Sequence, residues 1–362
     1  IKTKAKKVST LLIESFFLNN SSGINTFIKN MCIMFPDNII IVTDCEESIR
    51  DLSWYRKHNI HILFNSGSMD DYSEENYKNQ IIYNLNKLDK NCSYIFISNS
   101  FITLSILNEY NLDEFKNKTL CYYTHIGDIL DPDKKDIHDF KDINITKIFE
   151  YLKNKKITIL TQTNCVKNRL LELLNKDSIV LPEPLYVDGL DIFKKNNKTI
   201  LIIASNYKRK RFDLMLKLLS NIDCNIKILC DSITGYYDIY HLLKTNNIST
   251  KNIVILENIN HAQLKQHIIG SKCLLHISDI EVCPYSVLEA SIYIPTIINN
   301  NSIWSKDFNN ISYMIDPNNE KESISIINNI LNTDVKTLFN YEEYKSNSKD
   351  KWVNLIGGNN FD

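Results

Sequence analysis

Between Cys273 and Ile298 the hydrophobic pattern changes period twice, and that leaves few folds open. Cys273-Leu-Leu-His-Ile-Ser278 reads as a buried strand. A loop with Glu281 follows, then an apolar helical stretch carrying Glu289, a loop with Pro295 and a short β-branched strand. Strand, loop, helix, loop, strand is one unit of an open α/β sheet, and such sheets bind ligands beyond the carboxyl ends of their strands. Glu281 then sits in the loop at a strand's carboxyl end and Glu289 in the first turns of the next helix, where both can face one ligand. Carboxylates accept hydrogen bonds from hydroxyls, and a sugar nucleotide carries hydroxyls at both ends. Two surface glutamates also fall at this spacing by chance; the pattern around them is what singles the pair out.

The same alternation extends through the second half. Thr199-Ile-Leu-Ile-Ile-Ala204 has no polar interruption, as expected of a strand covered on both faces of a parallel sheet. Ser205-Asn-Tyr-Lys208-Arg-Lys210-Arg211 follows, and then an apolar helix from Phe212 to Leu219. A run of cations is ordinarily a solvated face. At a helix N-terminus it opposes the macrodipole, and an anionic ligand held by the cations and the N–H groups would remove that conflict. Strands are expected at Asn225–Cys230 and Ile253–Leu256, and helices at Tyr236–Asn247 and Ala262–Ile269. Residues 320–355 read as amphipathic helices, with Trp352 and Tyr344 packed. His261 and His267 read as surface residues.

In the first half, Val8–Ile13 is the first strand; a loop with Ser22 and Gly23 leads into an apolar-periodic helix at Thr26–Phe35. Strand, Gly-containing loop and helix place backbone N–H groups at a phosphate, although a lone Gly also marks an ordinary tight turn. Strands follow at Ile39–Thr43, Ile60–Phe64 and Tyr94–Ser98, a helix over 70–91, and a polar-capped helix from Asn99. A strand from Leu120 ends at His125, before a loop with Gly127 and Asp128. His125 reads either as facing a ligand or as a satisfied strand-end histidine, and Asp128 either as an acceptor-side base or as a loop cap. Ile157–Leu160 is a strand, Thr161–Leu174 a capped helix, and Ile179-Val-Leu-Pro182-Glu-Pro184 closes the run. The polar Lys194-Lys-Asn-Asn-Lys198 reads as the linker.

At 362 residues the chain is long for one core, so two domains are the default. A formal net charge of −1 gives no global field that would steer it onto nucleic acid. Heavy use of Asn, Ile and Lys with only 8 Gly suggests an AT-rich coding bias, as in a virus or an AT-rich microbe. The 9 Cys form no C-x-x-C pair and suit buried thiols in a reducing compartment. No apolar run reaches the ~20 residues of a membrane span, and Ile1-Lys-Thr-Lys-Ala-Lys-Lys7 lacks a signal peptide's apolar core, so a cytoplasmic protein is expected. No G-x-G-x-x-G occurs, which disfavours a dinucleotide oxidoreductase.

Glu281 and Glu289 in their strand–loop–helix–Pro–strand setting resemble the E-x7-E motif of the retaining, nucleotide-sugar-dependent glycosyltransferases of family 4. The order Gly23 loop, His125 strand end, crossover near Pro182 (with Gly189, Asp191 and Phe193), cationic loop at Lys210 and Glu281…Glu289 follows that family over roughly 8–340. The resemblance implies an α/β GT-B fold: two Rossmann-like doubly wound domains facing a central cleft, with an acceptor-side domain at 1–193, a nucleotide-sugar-binding domain at 199–340, and a C-terminal helix and tail at 341–362 crossing back. It implies that Glu289 holds the donor ribose, that Glu281 contacts the sugar hydroxyls, that Ser286 and the Gly23 loop line the donor, and that His125 touches the sugar or its phosphate. Lys210 matches the family lysine that neutralises the leaving diphosphate. The family arginine falls at Ser205 and its glycine at Ala204, so Lys208 or Arg209 would have to supply the second cation. A UDP-sugar is the favoured donor, with no metal and no further cofactor. For the acceptor, the His125 segment and the Asn99-Ser100 turn resemble phage α-glucosyltransferases that act on hydroxymethylcytosine in DNA, with Lys2, Lys4, Lys6 and Lys7 as a local basic patch. A surface glycan or lipid acceptor, and a non-catalytic sugar-nucleotide-binding protein, are the competing readings.

Overall fold

In the computed structural model the residues described are 8–13, 23–36, 39–43, 52–58, 60–64, 74–98, 101–110, 112–115, 117–123, 145–154, 157–187, 198–259 and 261–356. Uninterrupted apolar runs become parallel strands, and the amphipathic runs between them become the crossover helices. In chain order the first half holds β1 (Val8–Ile13), α1 (Gly23–Met34), β2 (Ile39–Thr43), α2 (Leu52–Lys57), β3 (His61–Phe64), α3 (Glu74–Asn86), β4 (Ser93–Ser98), α4 (Phe101–Glu109), β5 (Asn117–Tyr123), α5 (Ile145–Asn154), β6 (Thr158–Thr161), α6 (Asn164–Leu174) and β7 (Ile179–Val180). These strands form one parallel sheet in the order β3-β2-β1-β4-β5-β6-β7. Every residue of central β4 is buried, as a strand covered on both faces requires.

The second half holds β8 (Thr199–Ile203), α7 (Phe212–Leu219), β9 (Asn225–Cys230), α8 (Ile239–Thr245), β10 (Ile253–Glu257), α9 (His261–Ile269), β11 (Cys273–His276), α10 (Tyr285–Ser291), β12 (Thr296–Asn299), β13 (Tyr313–Ile315), α11 (Glu320–Asn332) and α12 (Tyr341–Ile356). Its parallel sheet runs β10-β9-β8-β11-β12-β13. Counted from its own first strand that is 3-2-1-4-5-6, the doubly wound order, and the first sheet begins in the same order. The direction of winding reverses between β8 and β11, which marks the carboxyl ends of those two strands as the place for a ligand. Ile200, Ile202, Phe212, Leu216, Ile228, Leu275 and Ile297 fill the core behind them.

Two compact units result: one contains the described residues within 1–126, 144–186 and 345–362, and the other those within 187–344. The unit division therefore falls inside α12. Trp352 of α12 is fully buried, 5.8 Å from both the Phe27 and Tyr123 rings, and its Nε1 donates to the Pro182 carbonyl at 2.9 Å. Tyr344 packs on Phe339 at 5.2 Å.

Some elements differ from the sequence-based expectation. The helix expected from Tyr236 starts only at Ile239, because Asn206 captures the preceding turn: its carbonyl and Oδ1 accept from the Tyr236 and Tyr237 N–H groups, both at 2.9 Å. Asp238 then caps α8 by accepting from the His241 N–H. Strand β11 stops at His276 rather than Ser278. The helix expected over 70–91 ends at Asn86, and α6 begins after Thr163, whose side chain accepts from the Val166 N–H.

Candidate functional site

Strand β8 ends at Ile203, and the chain passes Ser205 into a short 3-10 turn, Lys208–Lys210. Arg211 follows with φ 44° and ψ 46°, in the left-handed region, and α7 begins at once. A non-glycine residue costs roughly 1–2 kcal/mol there, so its contacts must hold it. The Arg211 guanidinium forks onto Asp213, Nε to Oδ1 at 3.1 Å and Nη2 to Oδ2 at 3.0 Å. Its Nη1 reaches Asp279 Oδ1, in the loop after β11, at 3.2 Å. Tyr237 joins from the β9–α8 loop, its hydroxyl 3.0 Å from Asp213 Oδ1 and 2.9 Å from the Lys208 carbonyl. Two loops at neighbouring strand ends are thereby bound together through one residue.

The second tie is Ser278. Its carbonyl accepts from Ser302 Oγ at 2.8 Å, Trp304 Nε1 at 3.0 Å and Asn299 Nδ2 at 3.2 Å, while its N–H donates to Asn299 Oδ1 at 3.0 Å. Its Oγ lies 3.2 Å from the Arg209 carbonyl, to which the Asp279 N–H also donates at 2.9 Å.

At the centre stands Glu281, only 7% exposed. Its Oε1 accepts from Lys210 Nζ and from His276 Nε2, the latter at 3.1 Å. Its Oε2 accepts from Arg209 Nη1 at 3.2 Å, and the same Nη1 donates to the Ile280 carbonyl at 3.0 Å. Burial on its own would raise the Glu281 carboxyl, but the charges of Lys210 and Arg209 and the His276 hydrogen bond outweigh it and hold it well below the ordinary carboxylate value. His276 is pushed the other way: burial chiefly, with the Lys210 and Arg209 charges, lowers it against the pull of Glu281. The cluster is thus one carboxylate, two cations and a neutral imidazole at the winding reversal between β8 and β11. One positive charge is left over, at a place where an anion can be held by charge-assisted hydrogen bonds.

The cations expected to await an anion at the start of α7 therefore meet protein carboxylates first: Arg209 and Lys210 meet Glu281, and Arg211 meets Asp213 and Asp279. Asp213 lies in the first turn of α7 and offsets the helix dipole. Of the two candidates for a second cation, Arg209 joins Lys210 at Glu281, whereas Lys208 Nζ lies 6.0 Å over the Tyr236 ring. Ser205 is half-buried in the same loop. Ser286 and Glu289 lie on α10, both half-buried, and Gly23 opens α1. His125, Gly127, Asp128, Ser22, the Asn99-Ser100 turn, Lys2, Lys4, Lys6, Lys7, Gly189, Asp191 and Phe193 lie outside the described residues. His276, Asp279, Asn299 and Trp304 carry no signature of their own; the one available signal was a histidine closing an apolar strand just before the Glu281 loop. Among the described residues no group of three His, Cys, Asp or Glu is placed to hold a metal ion, and no helix is long and apolar enough to cross a membrane.

No protein-family model matches the sequence, and no curated protein matches it either. Solved structures do. TarM of S. aureus, a variant in complex with fondaparinux, α-GlcNAc-glycerol and UDP, superimposes with a TM-score of 0.72 at 14% identity, covering 97% of this chain and 100% of that one. HepE of Anabaena in complex with UDP and glucose gives 0.70 at 12% identity, covering 97% and 98%. The lipopolysaccharide outer core galactosyltransferase WaaB gives 0.66 at 15% identity, covering 97% and 99%. At such identities the likeness establishes the fold, which is GT-B, over nearly the whole chain.

Proposed function

We propose that this chain is a retaining glycosyltransferase, similar to family 4, that moves a sugar from a UDP-sugar to an acceptor hydroxyl. The observation that carries the proposal is the Arg209–Lys210 cation pair, held by buried Glu281 where the winding of the second sheet reverses. In the transfer the bond from the anomeric carbon to the diphosphate oxygen breaks, a bond to the acceptor oxygen forms, and the acceptor proton leaves with the diphosphate. Negative charge builds on the diphosphate, and fixed cations aimed at developing charge are the strongest single contribution a site of this kind makes. Lys210 and Arg209 fill that role, with Arg209 taking the place left by Ser205. Glu289 and Ser286 hold the ribose end, Glu281 turns its remaining acceptor capacity to the sugar hydroxyls, and Gly23, His125 and Asp128 serve the sugar and acceptor from the first half of the chain. UDP in the complexes of TarM and HepE supports the choice of donor. No metal or further cofactor enters this scheme.

For the acceptor we favour a saccharide hydroxyl over hydroxymethylcytosine in DNA. The formal net charge of −1 supplies no field for the phosphate contacts that drive DNA affinity, and WaaB, which shares the fold, is a lipopolysaccharide galactosyltransferase. The test is incubation with a panel of UDP- and GDP-sugars and acceptors, hydroxymethylated oligonucleotides included, read by mass shift. Glu289→Ala should weaken UDP binding, and Lys210→Ala should lower turnover about a hundredfold or more. Transfer by Lys210→Ala at the wild-type rate would remove the diphosphate assignment. UDP binding without transfer or hydrolysis on any acceptor would favour a non-catalytic sugar-nucleotide binder.

A further inference from the structure

His276 closes β11, whose other residues are Cys273, Leu274 and Leu275. It is 1% exposed. Its ring stands edge-on to Trp304, with centroids 5.8 Å apart and planes at 88°, and Trp304 is itself tied to the Ser278 carbonyl. The charged groups that face it are Glu281 across 3.1 Å, and Lys210 and Arg209 beyond that carboxylate. An ionised carboxylate only accepts hydrogen bonds, so Nε2 carries the hydrogen. Burial and the two cations keep the ring neutral.

We infer that His276 is a positioning residue for the donor site: with Nε2 on Glu281 Oε1 and its ring edge-on to Trp304, it fixes the carboxylate that aims Lys210 and Arg209 at the diphosphate. The inference rests on the proposed donor site. Two cations alone leave a carboxylate able to swing with them, since lysine and arginine end long flexible stems. A donor rooted in a strand and wedged against an indole gives it a fixed reference. A proton on Nδ1 would add a third positive charge beside Lys210 and Arg209, facing a single carboxylate, so the neutral ring suits the role.

Side-chain reach supplies the test. A glutamine amide nitrogen sits about as far from the backbone as Nε2, whereas an asparagine amide nitrogen reaches only about as far as Nδ1. With a UDP-sugar, His276→Gln should keep kcat/KM within about threefold of wild type. His276→Asn and His276→Leu should lose about tenfold or more, the fold-change for one hydrogen bond to a buried charge, with donor KM rising. Melting temperatures of the Gln and Asn variants should match closely, which separates positioning from folding. Equal activity of the Gln, Asn and Leu variants would overturn the inference. A second arm needs no donor. In the unliganded full chain labelled with 15N-histidine, the resonance pair absent from His276→Gln should report a neutral Nε2–H tautomer from pH 8 to pH 6. An imidazolium or an Nδ1–H tautomer there would overturn it. Should no sugar nucleotide bind the wild type, the donor assignment falls while this arm still decides whether His276 holds Glu281.

Discussion

Replacing Glu281 with glutamine tests whether the carboxylate holds the cationic loop together. Glutamine keeps length and volume but turns one acceptor oxygen into a donor. With the amide nitrogen at the Oε2 position it opposes Arg209 Nη1, 3.2 Å away; at the Oε1 position it opposes Lys210 Nζ and His276 Nε2, the latter 3.1 Å away. Either orientation sets donor against donor and removes the counter-charge of both cations. Breaking a buried pair from one side costs ~3–5 kcal/mol. The side chains of Lys210 and Arg209 are 11% and 17% exposed, which lets water relieve part of this and places the value near the lower end, about 3 kcal/mol. For a unit the size of the second one that is a fall in melting temperature of about 6–12 °C. Thermal scans of the full chain give the shift, and hydrogen exchange read on β8, α7 and β11 assigns it to the second unit. Because Lys210 is one of the two groups orphaned, Glu281→Gln combined with Lys210→Met should be less destabilising than the sum of the single changes. A Glu281→Gln protein that melts within about 2 °C of wild type, with unchanged exchange in α7, would refute the reasoning.

Arg211 separates backbone strain from side-chain clamping. Arg211→Ala loses the ties to Asp213 and Asp279 and keeps the left-handed φ, whereas Arg211→Gly loses the same ties and relaxes the strain, so the glycine variant should be more stable by roughly 1 kcal/mol in urea unfolding; the reverse order would mean the strain is absent. Gly235→Ala would put a Cβ 2.8 Å from Asn206 Cβ and carbonyl oxygen, and should destabilise by about 1–3 kcal/mol while raising donor KM, because Asn206 joins the β8 and β9 loops. Acid should unfold the second unit partly through the cluster. The Glu281 value in the folded chain lies well below the ordinary 4.5, so between the two the unfolded chain binds the extra proton, and the stability present above 4.5 is lost as pH falls toward the folded value. His276 acts in the same direction from 6.5 downward, since its folded value is also lowered. Glu281→Gln should therefore show a shallower acid limb in a melting-temperature profile.

Strand positions were legible because most of them are bare apolar runs between polar loops. Thr199–Ile203 and Asn225–Cys230 needed no more than that. Short β13, Tyr313–Ile315, and helix α2 carry too few periodic positions to stand out, whereas α5 has Ile145, Ile148, Phe149 and Leu152 at helical spacing and was legible without being picked out. The loop with Lys208, Arg209 and Lys210 and the loop with Glu281 were legible as candidate site elements, because charge clusters at strand ends are conspicuous. Their mutual engagement was not. Glu281 meets Lys210 across 71 positions of sequence, and only the parallel pairing of β8 with β11 brings them together. The start of α8 is not legible, because Asn206, far upstream, claims the amides that would otherwise open it.

The tryptophan of the last helix has a consequence for synthesis. Phe27 and Tyr123 are made early on the ribosome, but the indole that packs tilted and edge-on against them belongs to residue 352. The earlier sheet can assemble its strands as they emerge, yet it must wait with an open apolar seam until nearly all of the later unit has been translated. During that interval the nascent chain exposes a surface for chaperones, and the later unit has the chance to mature ahead of its predecessor.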